Sequence, residues 1–169
     1  AIKIFNKLDK LKNYKLYIIG SIVHKSWYYH LLNLSKHNDN IIFYPNATEE
    51  EKNNLLKKCK YYIHLAGIGK NENKIPFQYE HFGISIIEAI NYRCIPICSN
   101  GGFPKYYIKN NENGYLIKNK NELKLLINHL ITYDLNISDI HFNNYKKQLT
   151  NYTKEKYLEN FSNIILNLK

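Results

Sequence analysis

The sequence predicts an α/β domain built on a doubly wound parallel sheet. Three observations carry this prediction. Short apolar runs alternate with amphipathic segments, the runs are nearly continuous in their apolar character, and 169 residues suffice for one sizeable core. Strands that are apolar throughout need cover on both faces, which the helices between parallel strands provide. We therefore expect one domain over residues 1–169, with helices flanking the sheet.

The first part of the chain contains three predicted strands, each preceded by a helical segment. Residues 2–12 space their apolar side chains as a helix does, and KLYIIG is a short apolar run that stops at Gly20. Thr48 and Glu51 form a capping box, which marks the start of a helix. The predicted elements are helices over 2–12, about 25–36 and 48–59, and strands over 15–20, 40–45 and 60–66.

The second part opens with a polar loop of 14 residues, from Ala66 to Tyr79. A connection of this length exceeds what a strand-to-helix turn needs, so we interpret the loop as functional. A helix begins near Gly83, and the GG pair after the next strand breaks the chain. The remaining predicted elements are strands over 93–100 and 114–118, a short helix in FPKYYI, and three helical segments over about 120–169, the last over 154–168. This alternation predicts a Rossmann-like arrangement.

The formal charge of +10 favours contact with phosphates, but the basic residues are of one type. Arg93 is the only arginine among 24 basic residues, so the bidentate group that reads base edges is almost absent. We interpret the charge as a lysine-rich surface and expect no nucleic-acid partner. The seven histidines show no helical i, i+4 pair and no zinc-finger spacing, so we expect no metal site.

The three cysteines indicate a reducing compartment, because an odd number without framework spacing does not predict disulfides. Cys94 and Cys98 lie in one predicted strand, with α-carbons about 13 Å apart, too far to be bridged. We expect both to be core thiols. No apolar stretch approaches the roughly 20 residues of a membrane span. We expect a cytoplasmic protein, a location compatible with peripheral association at a membrane.

Ligands of parallel α/β folds bind at the carboxyl ends of the strands, which directs attention to four places. The first two are Gly20 with Ser21, and the turn that contains Tyr44 and Asn46. The others are the loop and junction over 66–82 and the break over 99–103.

Two carboxylates flank the start of the predicted helix at Gly83. Glu80 precedes this helix and Glu88 lies more than one turn inside it. Between them the amides of Phe82, Gly83 and Ile84 point out of the helix N-terminus, which favours an anion such as a diphosphate. One carboxylate for a sugar and one for a ribose would suit a sugar nucleotide. Two solvated acids at a helix start are the ordinary alternative.

The stretch from Tyr61 to Ile117 resembles the donor-binding half of retaining GT-B glycosyltransferases, the glycosyl transferases group 1 family. The hallmark E-x7-E stands as Glu80 and Glu88 in EHFGISIIEAI, and GGFP and NGYL follow in the order of the family. The EHFG and HLAG spellings are similar to a subset that includes dolichol-linked oligosaccharide mannosyltransferases and bacterial synthases of surface glycans. The likeness is weakest before residue 40 and after residue 120.

The resemblance implies a role for each part of the motif. Glu80 would be the catalytic residue that contacts hexose hydroxyls near the reacting carbon. The backbone of Phe82, Gly83 and Ile84 would hold the sugar and diphosphate, and Glu88 the ribose diol. The resemblance further implies transfer with retention, in which the departing phosphate helps to deprotonate the acceptor.

The implied partners follow from the same resemblance. The donor is a UDP-, GDP- or ADP-hexose, mannose among the candidates, and neither a cofactor nor a metal is implied. A glycan or lipid-linked acceptor would be held by a further N-terminal domain. Tyr44 and Asn46 lie where this family meets the nucleobase, although an ordinary turn explains them equally well.

One departure from the family concerns its cationic loop. The family places an Arg and a Lys after the first strand of this half, and the resemblance implies that the chain begins in the helix that follows that loop. We therefore expect a domain truncated at its first strand, which alone binds a donor weakly and is inactive.

Several alternatives stay open. The chain could be a non-catalytic Rossmann-like module for binding or assembly, or a nucleic-acid binder through its charge. His64 is as consistent with the ligand crevice as with the core. The run Gly67-Ile68-Gly69-Lys70 fits a turn better than a phosphate loop, because it lacks the required spacing. Lys105 fits a surface lysine better than a phosphate contact.

Overall fold

A computed structural model describes residues 1–7, 13–133 and 156. The predicted alternation of strands and helices is confirmed in this part. The helices are α1 (Ile2–Phe5), α2 (Lys25–Ser35), α3 (Glu49–Leu56), α4 (Ile84–Asn91), α5 (Pro104–Tyr107) and α6 (Lys120–Tyr133). The strands are β1 (Leu16–Gly20), β2 (Ile41–Pro45), β3 (Tyr61–His64), β4 (Ile95–Ser99) and β5 (Tyr115–Ile117). The predicted helical residues 8–12 and most of those after 133 lie outside the described residues.

The strand pairs of the described residues are all parallel, which confirms the α/β fold class with flanking helices. In the described residues the strands form two hydrogen-bonded groups, β1–β2 and β3–β4–β5. The first group aligns Leu16 with Ile41, and the second aligns Tyr61 with Ile95. Parallel strands bring their carboxyl ends to one edge, so the loops after β3 and β4 lie side by side.

Local sequence accounts for the helix starts. Thr48 caps α3 by accepting the Glu51 N–H, and the Glu51 carboxylate accepts the Thr48 N–H in return. This is the predicted capping box. At α4 the N-cap is Gly83, whose φ of 89° lies in the left-handed region that a residue with a Cβ avoids.

The core is centred on β4, all five residues of which are buried. Alternate residues of a strand point to opposite faces, so β4 contributes to two apolar clusters. One face packs with α4 and α5, in a cluster of Ile86, Ile90, Cys98, Tyr107 and Ile108. The other packs beside β5 and α6, in a cluster of Ile95, Ile97, Tyr115, Ile117, Leu123 and Leu130.

The cysteine prediction is confirmed, because Cys94 and Cys98 are both buried and free. Burial raises the pKa of the Cys94 thiol to about 12. Its Sγ lies 3.3 Å from the carbonyl oxygens of Leu56 and Cys59, which connects the start of β4 to the end of α3. None of the described helices combines the length and the apolar character that a membrane crossing demands.

Candidate functional site

The Glu80 carboxylate lies at the N-terminus of α4. Its Oε1 accepts hydrogen bonds from the Gly83 N–H at 2.9 Å and the Phe82 N–H at 3.1 Å. A carboxylate at this place is favoured by the helix dipole as well as by the two bonds. Glu80 therefore accepts hydrogen bonds from two of the three amides that the family resemblance assigns to the sugar and diphosphate.

His64 at the end of β3 contacts the other oxygen of the same carboxylate. Its Nε2 is 3.0 Å from Oε2 of Glu80, and both side chains are mostly covered. Nε2 itself is buried, and its contact with the carboxylate lacks the alignment of a regular hydrogen bond. The structure thus places His64 in the site, which the sequence left undecided.

Backbone conformation at Gly83 sets the direction of these amides. A Cβ at this position would lie 2.8 Å from Cδ1 of Ile86 and 2.5 Å from the Tyr107 hydroxyl. That hydroxyl donates a hydrogen bond of 3.1 Å to the Phe82 carbonyl. Only glycine fits both the left-handed φ and the space, so Gly83 is a structural requirement of the site.

The Gly-Gly turn after β4 supports Glu80 from its backbone side. The Phe103 N–H donates to the Glu80 carbonyl at 2.9 Å. Gly102 has a φ of 67°, and a Cβ there would collide with that same carbonyl oxygen. The turn over residues 101–103 is therefore in direct contact with the main chain of Glu80.

Glu88, the second acid, lies on α4 and is partly exposed. Its Oε2 is 3.0 Å from Nζ of Lys52 on α3, and the same ammonium is 2.9 Å from Oε1 of Glu49. These two bonds raise the pKa of Lys52. The carboxylate thus faces α3 and keeps 38% of its side chain exposed.

Tyr62 on β3 lies within the electrostatic reach of both acids. Burial raises the pKa of its hydroxyl, and the charges of Glu88 and Glu80 act in the same direction. The hydroxyl also shares a hydrogen bond with the Ser85 side chain. The Tyr62 and Ser85 hydroxyls thus form a polar region between β3 and the first turn of α4.

Aromatic rings border the Glu80 side of this region. Phe82 and Phe103 stack with centroids 5.4 Å apart, and Phe103 and Tyr106 are 5.5 Å apart. Phe82 and Tyr106 keep 39% and 68% of their surface exposed. Such a wall offers an apolar surface beside a carboxylate, a combination suited to a sugar ring, which has apolar faces and hydroxyl edges.

The candidates at the ends of β1 and β2 form a separate group. The Asn46 N–H donates to the Gly20 carbonyl at 2.9 Å, and its side-chain Oδ1 accepts the Ile22 N–H at 3.2 Å. Asn46 has a φ of 54°, which asparagine tolerates. Tyr44 packs edge-on against Tyr17, and Gly20 and Ser21 are exposed. These contacts give Asn46 and Tyr44 structural partners, and a ligand role for this group stays a prediction.

Three site neighbours were not found from the sequence. Lys52, Tyr62 and Glu72 lie in segments where lysines, tyrosines and acids are common, so no local signal separates them from surface residues. Lys105, taken as a surface lysine, forms an ion pair with Glu72 at 2.9 Å. The residues 67–70 form consecutive turns, which confirms the turn interpretation. No group of three His, Cys, Asp or Glu side chains with metal-binding geometry occurs in the described ranges.

The chain matches a protein-family model and several solved structures. A family model described as glycosyl transferases group 1 matches residues 1–156. Curated protein sequences give no match.

Solved structures show the same fold. The crystal structure of TarM matches with a TM-score of 0.70 at 22% identity, over 96% of this chain and 30% of that chain. Anabaena Alr3699/HepE in complex with UDP-glucose matches with a TM-score of 0.69 at 16% identity, over 96% of this chain and 44% of that chain. The GtfA/B complex matches with a TM-score of 0.65 at 14% identity, over 98% of this chain and 31% of that chain. The chain spans less than half the length of each of these proteins.

Proposed function

Because the chain belongs to the glycosyl transferases group 1 family, we propose that it is the donor-binding domain of a retaining GT-B hexosyltransferase. In this proposal it binds a nucleotide sugar, and the complete enzyme transfers the hexose to a glycan or lipid-linked acceptor. The observation that carries the proposal is the Glu80 carboxylate at the N-terminus of α4, in contact with His64 and with two main-chain amides.

The α4 N-terminus is the proposed site of the diphosphate and sugar. Main-chain amides and the helix dipole favour negative charge there without needing a resident cation. Glu80 accepts hydrogen bonds from the Phe82 and Gly83 amides, so a donor placed at these amides competes with its carboxylate. Displacement of Oε1 would release the carboxylate to accept hydrogen bonds from the hexose hydroxyls, which couples donor binding to the placement of Glu80.

Glu88 is the proposed partner of the ribose diol. A carboxylate accepts two hydrogen bonds from adjacent hydroxyls, and this one is partly exposed. Lys52 contacts this carboxylate from α3 at 3.0 Å and orients it. The Gly20, Ser21, Tyr44 and Asn46 group would then lie toward the nucleobase.

The chemical contribution of the site is electrostatic. Amides directed at the leaving diphosphate stabilise the charge that develops as the glycosidic bond breaks. Glu80 and His64 position the sugar, and the departing phosphate accepts the acceptor's proton, as the family resemblance implies. The acceptor would be supplied by another part of the complete protein. We propose the donor as a substrate, with no resident cofactor, and mannose as one of the hexoses to test.

Nucleotide titration tests the proposal. The purified protein is titrated calorimetrically with UDP, GDP, ADP and UDP-glucose, UDP-glucose because a structural relative is a complex with that compound. We expect one nucleotide to bind, and Glu88→Ala to weaken it on the order of tenfold, because a hydrogen bond to a charged group is lost.

The matched control is Glu112→Ala. Glu112 is an exposed acid outside the site, and its Oε2 lies 3.8 Å from Nζ of Lys109. Its replacement should leave the affinity for the nucleotide unchanged. Absence of binding to all four ligands at millimolar concentration would overturn the proposal. Binding without glycosyl transfer by the complete protein would favour the non-catalytic module.

A further inference from the structure

Glu72, in the middle of the polar loop over residues 66–79, closes that loop onto the Gly-Gly turn. Its Oε1 accepts the Gly102 N–H at 2.9 Å and is 2.9 Å from Nζ of Lys105. Its Oε2 is 3.1 Å from the same ammonium. Each side chain of this pair is about one-third exposed. The contact spans 30 residues of sequence, so it fixes two distant segments to each other.

The turn that Glu72 holds is the turn that contacts Glu80. Gly102 lies so close to Glu80 that an added Cβ would meet the Glu80 carbonyl oxygen, and Phe103 donates its N–H to that oxygen. A displacement of Gly102 therefore moves the backbone of Glu80 or breaks this hydrogen bond. Glu72 acts on Glu80 through one intermediate, the turn.

Tyr79 completes the same assembly from inside. Its hydroxyl donates to the Lys70 carbonyl at 2.8 Å, and its ring lies so close to Gly67 and Gly101 that a Cβ at either would overlap it. The loop start, the loop end and the turn thus pack around one buried ring that directly precedes Glu80. The Glu72–Lys105 pair adds a partly exposed ionic contact between the loop and the helix that follows the turn.

We propose that Glu72 and Lys105 are positioning residues that hold Glu80 in place for the sugar of the donor. The inference rests on the proposed function and assigns a role to the long loop. It predicts a specific defect: because Glu80 is the proposed sugar contact, loss of the pair should weaken binding of a nucleotide sugar and leave binding of the nucleotide alone unchanged.

The experiment compares UDP-glucose with UDP as calorimetric probes of the full-length protein. The variants are Glu72→Ala, Lys105→Met and the conservative Lys105→Arg, with Glu112→Ala as the matched control in an exposed ion pair. We expect Glu72→Ala and Lys105→Met to raise the Kd for UDP-glucose about five- to tenfold, the range for residues coupled through a shared contact. Lys105→Arg and Glu112→Ala should retain the affinity of the original protein for both probes.

A second measurement reports on the hydrogen bond from the Gly102 N–H to Glu72. Hydrogen exchange of the Gly102 amide should accelerate in Glu72→Ala, because its acceptor is removed. Faster exchange with an unchanged ratio of the two Kd values would overturn the positioning role. Equal weakening of UDP and UDP-glucose would also overturn it, since that is general loosening of the site. Failure of the unmodified protein to bind any of UDP, GDP, ADP and UDP-glucose would overturn the proposed function, and this inference with it.

Discussion

The strands β1 and β4 illustrate how differently the two halves of the domain are built. All five residues of β4 are buried, whereas none of the five residues of β1 is. β4 has a strand on each edge and an apolar cluster on each face. In the described residues β1 pairs with β2 alone.

This difference matters for the proposed site. The Glu80 end is surrounded by β3, α4 and the Gly-Gly turn, so its main chain is held by several contacts. The loops after β1 and β2 depend on a few bonds of Asn46. The proposed sugar end is therefore preorganised, and the proposed base end has fewer constraints.

Truncation of an apolar residue in each half tests the packing difference most strongly. Ile97→Ala removes a side chain that is 1% exposed, and we expect a loss of about 4 kcal/mol in the free energy of unfolding. Ile18→Ala on half-buried β1 should cost about 1 to 2 kcal/mol. Urea denaturation measures both, and equal losses would show that β1 is packed as tightly as β4.

Replacement of Gly83 tests the preorganisation of the Glu80 end. Gly83→Ala should cost about 3 kcal/mol, because it adds a left-handed conformational penalty to overlap with Tyr107 and Ile86. Gly69→Ala is the matched control, since Gly69 also has a positive φ but open space around it. We expect Gly69→Ala to lose about 1 kcal/mol in the free energy of unfolding. Thermal and urea unfolding measure the stability of both variants. Equal losses in the free energy of unfolding would refute the steric explanation.

Asn46 allows the corresponding test at the other end. Asn46→Ala should lose about 1 kcal/mol, because alanine resists the left-handed conformation and removes the acceptor for Ile22. Asn46→Gly should regain most of this loss, since glycine adopts that conformation freely. If Asn46→Gly were as unstable as Asn46→Ala, the side-chain bond would be the dominant contribution.

Acid pH provides the mildest perturbation, acting on the Glu72 contact. The hydrogen bond from Lys105 and that from the Gly102 N–H hold the pKa of Glu72 below its usual 4.5. A carboxyl with a depressed folded pKa stabilises the fold above the unfolded value, and the contribution disappears as pH falls through the folded value. The stability difference between the unmodified protein and Glu72→Gln should therefore be present at pH 6 and shrink below pH 4.5. A difference independent of pH would argue against an ionised Glu72.

Much of the architecture was predictable because it depends on local pattern. Thr48 and Glu51 formed the expected capping box, since a cap uses residues three apart in one helix turn. CIPIC became the buried β4 strand because apolar runs must be covered. The motif around Glu80 was equally visible, because its acids, its glycine and the helix start are neighbours in sequence.

Contacts between distant segments were not predictable. His64 and Glu80 meet because β3 ends beside the α4 N-terminus, and Lys52 meets Glu88 because α3 packs against α4. The orientation of the Glu80 carboxylate onto the Phe82 and Gly83 amides also depends on the left-handed Gly83 and on Tyr107. None of these pairings has a signature in residue type or spacing.

The sequence by itself determined the α/β class, the order of the described strands and helices, and the family through its motif. Each of these depends on periodicity or on residues close in the chain, where local geometry leaves few choices. The tertiary structure decided which polar side chains meet: Glu72 with Lys105, Lys52 with Glu88, and His64 with Glu80. Contacts of this kind form only after packing has brought separate segments to within a few ångströms, because electrostatic attraction in water is too weak to assemble the segments alone.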